Sequence, residues 1–99
     1  MNNQENKPQV AYSEMKIKAL INNIEKRLDK NGKDYWIIRT ELISGQKRDY
    51  LLFSTDYNTA PKTIQLLENY PQKLENEWVL LTTRKKDEKE KVIMIEVEK

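Results

Sequence analysis

The sequence predicts a mainly β domain of five strands with one short helix between the third and fourth strands. Apolar residues alternate with polar ones over several short stretches, tight-turn sequences separate these stretches, and one segment that ends at Pro71 has the spacing and end signals of a helix. A chain of 99 residues has room for a single domain. We assign that domain to residues 14–99 and expect the polar residues 1–13 to form a flexible arm.

The first predicted strand is long and changes phase. Its first apolar residues alternate, whereas the next two, Ile24 and Leu28, fall on the other phase. A bulge near Asn22–Asn23 would explain the change and would bend the strand. A helix over 14–28 also fits the spacing, but the turn that follows favours a strand. The alternating set is Met15, Ile17, Ala19 and Ile21.

The next two strands follow from turn chemistry and β-propensity. Asn31-Gly32 is a strong hairpin signal. Tyr35–Ile43 is rich in aromatic and β-branched residues, which suits a strand. Residues 44–46 form a second turn, and Asp49–Ser54 is the third strand. These three strands form a meander.

The predicted helix lies after the meander. Thr59 can cap it, Pro61 suits its first turn, and Pro71 ends it. Trp78–Thr83 then reads as the fourth strand, with Trp78 predicted in the core. A charged hairpin loop over Arg84–Lys91 leads to the fifth strand, Val92–Val97. Its predicted inward set is Ile93, Ile95 and Val97.

The composition argues against catalysis. The chain has no Cys and no His, so disulfides, thiolate zinc ligands and the commonest general base are absent. No metal-binding cluster or phosphate-binding glycine loop is visible. We therefore predict a binding protein that is not an enzyme and that uses no cofactor or metal. The apolar runs are too short to span a membrane and the start is too polar for a signal peptide, so we expect a cytoplasmic protein.

Charge is unevenly distributed although the net charge is only +2. Residues 15–55 carry nine Lys or Arg against five Asp or Glu, and residues 83–91 carry five against three. The helical region 56–77 has two against four. A basic excess on the strands and their loops is typical of a surface that contacts phosphates, and also of an ordinary solvated surface.

The order of elements, the bulged first strand and the Asn31-Gly32 turn together resemble the OB-fold. The stretches KNGKDYWIIR and DYLLFSTD resemble strands two and three of OB domains in single-stranded-DNA-binding proteins of the replication protein A and archaeal simple types. The resemblance covers residues 15–98 and implies a five-stranded OB-fold barrel. Many such domains have glycine just before strand four, where Asn76 can supply a left-handed turn.

The resemblance also implies a site. Single strands are held by aromatic side chains on which bases stack and by cations that contact phosphates. Phe53 stands where such domains place one aromatic, near the end of strand three. The second comes from the start of strand two, where Tyr35 and Trp36 are neighbours that must point to opposite faces. Alternation favours Tyr35 and Arg39 outward, while Phe53 outward puts Tyr50 inside. The predicted nucleic-acid contacts are Lys33, Tyr35, Trp36, Arg39, Phe53, Arg84, Lys85 and Lys86.

The sequence thus predicts a protein that binds single-stranded nucleic acid, DNA in preference to RNA, with little sequence specificity. It would act as a homo-oligomer or within a larger replication or repair assembly. Two alternatives stay open. The same face could bind a protein partner, as OB domains in interaction modules do, or the chain could be a viral or mobile-element accessory protein that does not bind nucleic acid.

Overall fold

The computed structural model describes residues 12–86 and 89–98. The prediction of a mainly β chain with one α-helix between the third and fourth strands is confirmed. The elements are β1 (Tyr12–Leu28), β2 (Asp34–Leu42), β3 (Lys47–Phe53), α1 (Pro61–Asn69), β4 (Trp78–Lys86) and β5 (Lys89–Val97). Most of the predicted arm, residues 1–11, lies outside the described residues, whereas residues 12 and 13 belong to β1.

The five strands close into a ring in the order β1-β2-β3-β5-β4, returning to β1. Neighbouring strands are antiparallel except β3 and β5, which are parallel and meet at Leu51 and Lys91. This pairing and that of β1 with β4 join strands that are not consecutive in the chain, and together they close the sheet. The pairing of β3 with β5 also determines which side chains of β5 lie beside those of β3.

Closure depends on the long first strand, which changes its partner along its length. Residues Tyr12–Leu20 pair with β4, and residues Ala19–Leu28 pair with β2. The register with β2 shifts between Ile21 and Asn23, which confirms the predicted bulge. A bulge bends its strand, so one strand can belong to both sides of the ring.

The segment before β4 is fixed to this bend. The Asn76 amide donates to the Ile21 carbonyl at 2.6 Å, and the Ile21 amide donates to the Glu77 carbonyl at 3.0 Å. A Glu75 carboxylate oxygen accepts from the Ile24 amide at 3.1 Å. Asn76 has φ 67°, so the predicted left-handed residue is confirmed. Asparagine adopts this backbone conformation more readily than most other residues that carry a side chain.

The core fills the inside of the ring. Trp36 is 1% exposed, Ile38 and Leu52 are fully buried, and Tyr50 is 3% exposed. Leu67 of α1 belongs to the same cluster, so the helix packs against the core. The remaining core residues are Ala19, Ile21, Leu74, Val79, Leu81, Val92 and Ile95.

The start of the helix differs from the prediction. Ala60, not Thr59, stands at the N-cap, and no side chain caps the helix. The Thr59 hydroxyl donates to the Phe53 carbonyl at 3.0 Å. Thr59 is 4% exposed, and burial of a hydroxyl without a hydrogen-bond partner would be costly. On the helix itself, the Thr63 hydroxyl accepts a hydrogen bond from the Ile95 amide at 3.1 Å.

The charged segment near the chain end is strand where we predicted a loop. β4 continues to Lys86 and β5 begins at Lys89, and residues 87 and 88 between them lie outside the description. Lys85 pairs with Glu90 across the two strands. Charged side chains reach water from either face of a two-stranded ribbon, so a charged composition does not by itself indicate a loop.

The inward set of β5 also differs from the prediction. The register between β4 and β5 shifts at Thr82 and Thr83. The shift lies between Val92 and Met94, so Val92 is fully buried although it is out of phase with Ile95 and Val97. Val97 shares the face of Ile95 and lies opposite the buried Val79, but it is the last residue of β5 and is 38% exposed, so it does not belong to the core. Ile93 and Ile95 are buried as predicted.

Candidate functional site

Two aromatic rings stack on the outer surface of the sheet. Tyr35 on β2 lies directly opposite Phe53 on β3. Their ring centroids are 5.3 Å apart and their planes differ by 24°. Both side chains are half-buried, whereas their neighbours Trp36 and Leu52 point into the core. The orientation that alternation favoured is therefore present: Tyr35 faces outward and Trp36 inward.

A cation stands on each side of this aromatic pair. The Lys91 ammonium on β5 lies 4.8 Å from the Phe53 ring centroid, a distance at which a cation is attracted to the ring face. Because β3 lies between β2 and β5, Lys91 approaches Phe53 from the side away from Tyr35. On the other flank, Arg27 of β1 lies opposite Tyr35. We call these four residues, one from each of four strands, the outer row.

An apolar strip continues next to the outer row. Ile37 lies opposite Leu51 on the same outer face. Leu51 is 38% exposed and Ile37 is half-buried. With Tyr35 and Phe53 these residues form a surface, the aromatic face, in which the Tyr35 hydroxyl is the only side-chain group that can form hydrogen bonds. An apolar surface that is bordered by cations can take up planar aromatic groups that carry negative charge.

Arg39, predicted to contact phosphate, is already paired. Its guanidinium donates to Glu25 at 2.8 Å and to the Asn23 side-chain oxygen at 3.2 Å. Asp49 lies 3.8 Å away on its other side. The side chain is 37% exposed, so the pairs are partly screened by water. Arg39 sits on the predicted face but its charge is neutralised there.

Glu25 links two cations next to the aromatic face. Its carboxylate accepts from Arg27 at 2.7 Å and from Arg39 at 2.8 Å. Hydrogen bonds from Arg27, and then from Arg39, hold the pKa of Glu25 below its ordinary value of 4.5. The same contact raises the pKa of Arg27. A lowered carboxyl pKa means that the pairing stabilises the fold above about pH 4.5 and that this contribution is lost as the pH falls through the lowered pKa.

The other predicted cations are more scattered. Lys33 is exposed in the β1–β2 connection, where its amide donates to the Asp29 carboxylate at 2.9 Å. Arg84 is half-buried on β4 opposite Lys91, and Lys85 is exposed. The backbone of Lys86 ends β4, and its side chain lies outside the description. Of these residues, the structure brings only Arg84 next to a member of the outer row.

Four residues of this surface are absent from the predicted contacts, although the sequence indicated three of them. Arg27 comes after the bulge, and the bulge predicted near Asn22–Asn23 already implied that its face had changed. Ile37 and Leu51 were signalled by their alternation with Trp36 and Leu52. Lys91 had no such signal, because it reaches Phe53 only through the pairing of β3 with β5.

Trp78 lies apart from this surface. It was predicted in the core, but it is 39% exposed. It lines a shallow pocket of about 240 Å³ with Lys18 and Ile43. Val79 and Leu81 are fully buried, so alternation along β4 places Trp78 on the outer face of the sheet.

Within residues 12–86 and 89–98, no helix is long and apolar enough to cross a membrane. The same residues contain no group of three or more Asp or Glu side chains arranged to hold a metal ion. Comparisons of the chain with protein-family models, with curated proteins and with solved structures gave no match.

Proposed function

We propose that the chain is an OB-fold domain that binds single-stranded nucleic acid, DNA in preference to RNA, on its aromatic face. The OB-fold assignment is supported by the closed strand order β1-β2-β3-β5-β4, the parallel contact of β3 with β5 and the helix between β3 and β4. The function is supported by one observation above all. An outward aromatic pair is flanked by cations on both sides.

The geometry suggests how a strand would bind. Tyr35 covers one side of Phe53 and the Lys91 ammonium covers the other. A base that stacks on Phe53 therefore takes the place of the ammonium, and the flexible lysine side chain then turns to the adjacent phosphate. The cation–π contact that is lost is worth about 0.5–1 kcal/mol at an exposed site, less than the roughly 1–3 kcal/mol of typical base stacking.

The same surface indicates little sequence specificity. Every base has a flat face that an aromatic ring can accept, whereas discrimination between bases needs hydrogen bonds to their edges. Ile37, Leu51 and Phe53 offer no hydrogen-bonding side-chain group, and the Arg39 guanidinium is turned toward Glu25 and Asp49. Binding on this face would therefore depend on stacking and charge.

Salt dependence tests the proposal. We expect a fluorescently labelled single-stranded DNA to bind the full chain and to bind about twentyfold more weakly at about 200 mM than at about 50 mM salt, if roughly three phosphates are neutralised. Fluorescence anisotropy measures both affinities. Same-sequence RNA and duplex DNA are the comparisons, and we expect both to bind more weakly. Absence of binding by the folded protein at the lower salt concentration would contradict the proposal.

Glu25→Gln should strengthen binding about threefold at low salt, because the substitution frees Arg27 and Arg39 and removes a negative charge next to the phosphate path. The same anisotropy titration measures the change. Glu96→Gln is the matched control, since Glu96 is exposed and lies five residues beyond Lys91 on β5. An equal gain in both variants would mean that net charge alone acts, and would remove Glu25 from the site.

A protein-docking function is the second candidate, and the pairing of Arg39 favours it. An apolar strip of Ile37 and Leu51 beside a neutralised cation resembles the composition of a protein-binding surface. That function predicts no salt-dependent binding of oligonucleotides. The titration described above therefore separates the two candidates.

A further inference from the structure

The first half of β1 has an open edge. Tyr12–Leu20 pairs with β4 on one side, while pairing with β2 on the other side starts only at Ala19. In the part of the chain that the structure describes, no strand lies against the second edge of residues 12–18. Unpaired backbone groups along an edge are a template for another strand.

The backbone direction identifies which residues present these groups. The Ile21 amide and carbonyl bond to residues 76 and 77, which precede β4, and so point toward β4. In an antiparallel sheet the pairing direction alternates along the strand. The backbone groups of Glu14, Lys16 and Lys18 therefore point to the open edge. These three side chains share one face of the strand, and Met15, which is 53% exposed, lies on the other face.

We propose that a second copy of this chain pairs with this edge, antiparallel, with Met15 opposite Met15 across a two-fold axis. Two such edges can form hydrogen bonds only where residues whose backbone groups point to the open edge lie opposite each other. Glu14 must therefore lie opposite Glu14, Lys16 or Lys18 of the second copy. A register centred on Glu14 opposes two carboxylates, and one centred on Lys16 opposes two ammonium groups. The register centred on Met15 places Glu14 opposite Lys16 twice, and opposite charges in that position are favourable.

The pairing would join two rings through one continuous sheet in the order β5-β4-β1-β1-β4-β5. Lysines on an exposed edge usually prevent such association, but in this register each Lys16 has a carboxylate opposite it. The aromatic face lies on β2 and β3, outside the interface. The proposal therefore does not depend on nucleic-acid binding.

Charge exchange tests the register. Sedimentation velocity of the full chain should show a concentration-dependent dimer. Glu14→Lys alone places two ammonium groups opposite each other, and Lys16→Glu alone places two carboxylates opposite each other, so each should raise the dimer dissociation constant about tenfold or more. The double variant should restore dimerisation. An equal mixture of the two single variants should form heterodimers. In a heterodimer, both pairs between positions 14 and 16 join a lysine of one copy to a glutamate of the other.

Lys62→Glu is the control for net charge, since Lys62 is exposed on α1; it should leave dimerisation unchanged. Circular dichroism checks that each variant keeps its β structure. A protein that stays monomeric up to about 1 mM, well above the micromolar range of specific pairs, would overturn the proposal. A dimer that neither single variant weakens would overturn it as well, because the interface would then lie elsewhere.

Discussion

Phe53→Ala is expected to weaken binding of single-stranded DNA by about ten- to hundredfold, the equivalent of one lost base-stacking contact. The substitution removes the ring that lies between Tyr35 and Lys91, and with it the centre of the outer row. Phe53 is half-buried on the outer face, so the core stays intact. Fluorescence anisotropy at about 50 mM salt measures the loss, and thermal unfolding confirms that the variant is folded.

Tyr57→Ala provides the matched control for this prediction. Tyr57 is 93% exposed, lies in the connection between β3 and α1 and is not part of the outer row. Its removal should change affinity by less than about twofold, because an isolated ring contributes only if a base reaches it. If folded Phe53→Ala binds as tightly as the unchanged protein, the aromatic pair is not the stacking surface and the protein-docking function gains support.

Trp36→Ala should have the largest effect on stability, with a loss of about 3–5 kcal/mol in the free energy of unfolding. Trp36 is 1% exposed and is the largest of the fully buried side chains. Alanine would leave a cavity inside the closed sheet, and hydrogen bonds between neighbouring strands prevent the sheet from collapsing freely around it. Small domains are stable by about 5–15 kcal/mol, so this variant is expected to be close to unfolded. Urea denaturation measures the change.

Trp78→Ala is the corresponding control. Trp78 is 39% exposed at the start of β4, so its removal should cost less than about 1.5 kcal/mol. Trp36 and Trp78 are the two tryptophans of the chain, and the comparison reports directly on which of them is in the core. Equal losses for the two variants would contradict the arrangement described here.

Local patterns predicted much of the fold because they depend on near neighbours in the chain. The phase change between Ile21 and Ile24 predicted the bulge, and the bulge is present. Residue alternation predicted Tyr35 outward and Tyr50 inward, and the burial of both agrees. The resemblance to OB domains, many of which have glycine before strand four, implied that Asn76 could supply a left-handed turn, and Asn76 has φ 67°.

Patterns failed where a distant part of the chain decided the outcome. Thr59 is a residue type that often caps helices, but its hydroxyl donates to the Phe53 carbonyl instead. Val92 is out of phase with the predicted inward set of β5, but a register shift against β4 places it in the core. The segment Arg84–Lys91 has the composition of a loop, yet pairing extends both strands into it.

The sequence by itself determined the order of the elements, the bend in β1 and the face on which Tyr35 and Phe53 stand, since each follows from periodicity or turn chemistry within a few residues. Only the tertiary structure decided what surrounds those rings. Lys91 lies 38 residues beyond Phe53 in the numbering and reaches its ring because β5 runs beside β3. Closing the ring brings these distant strands together, and no local pattern encodes that contact.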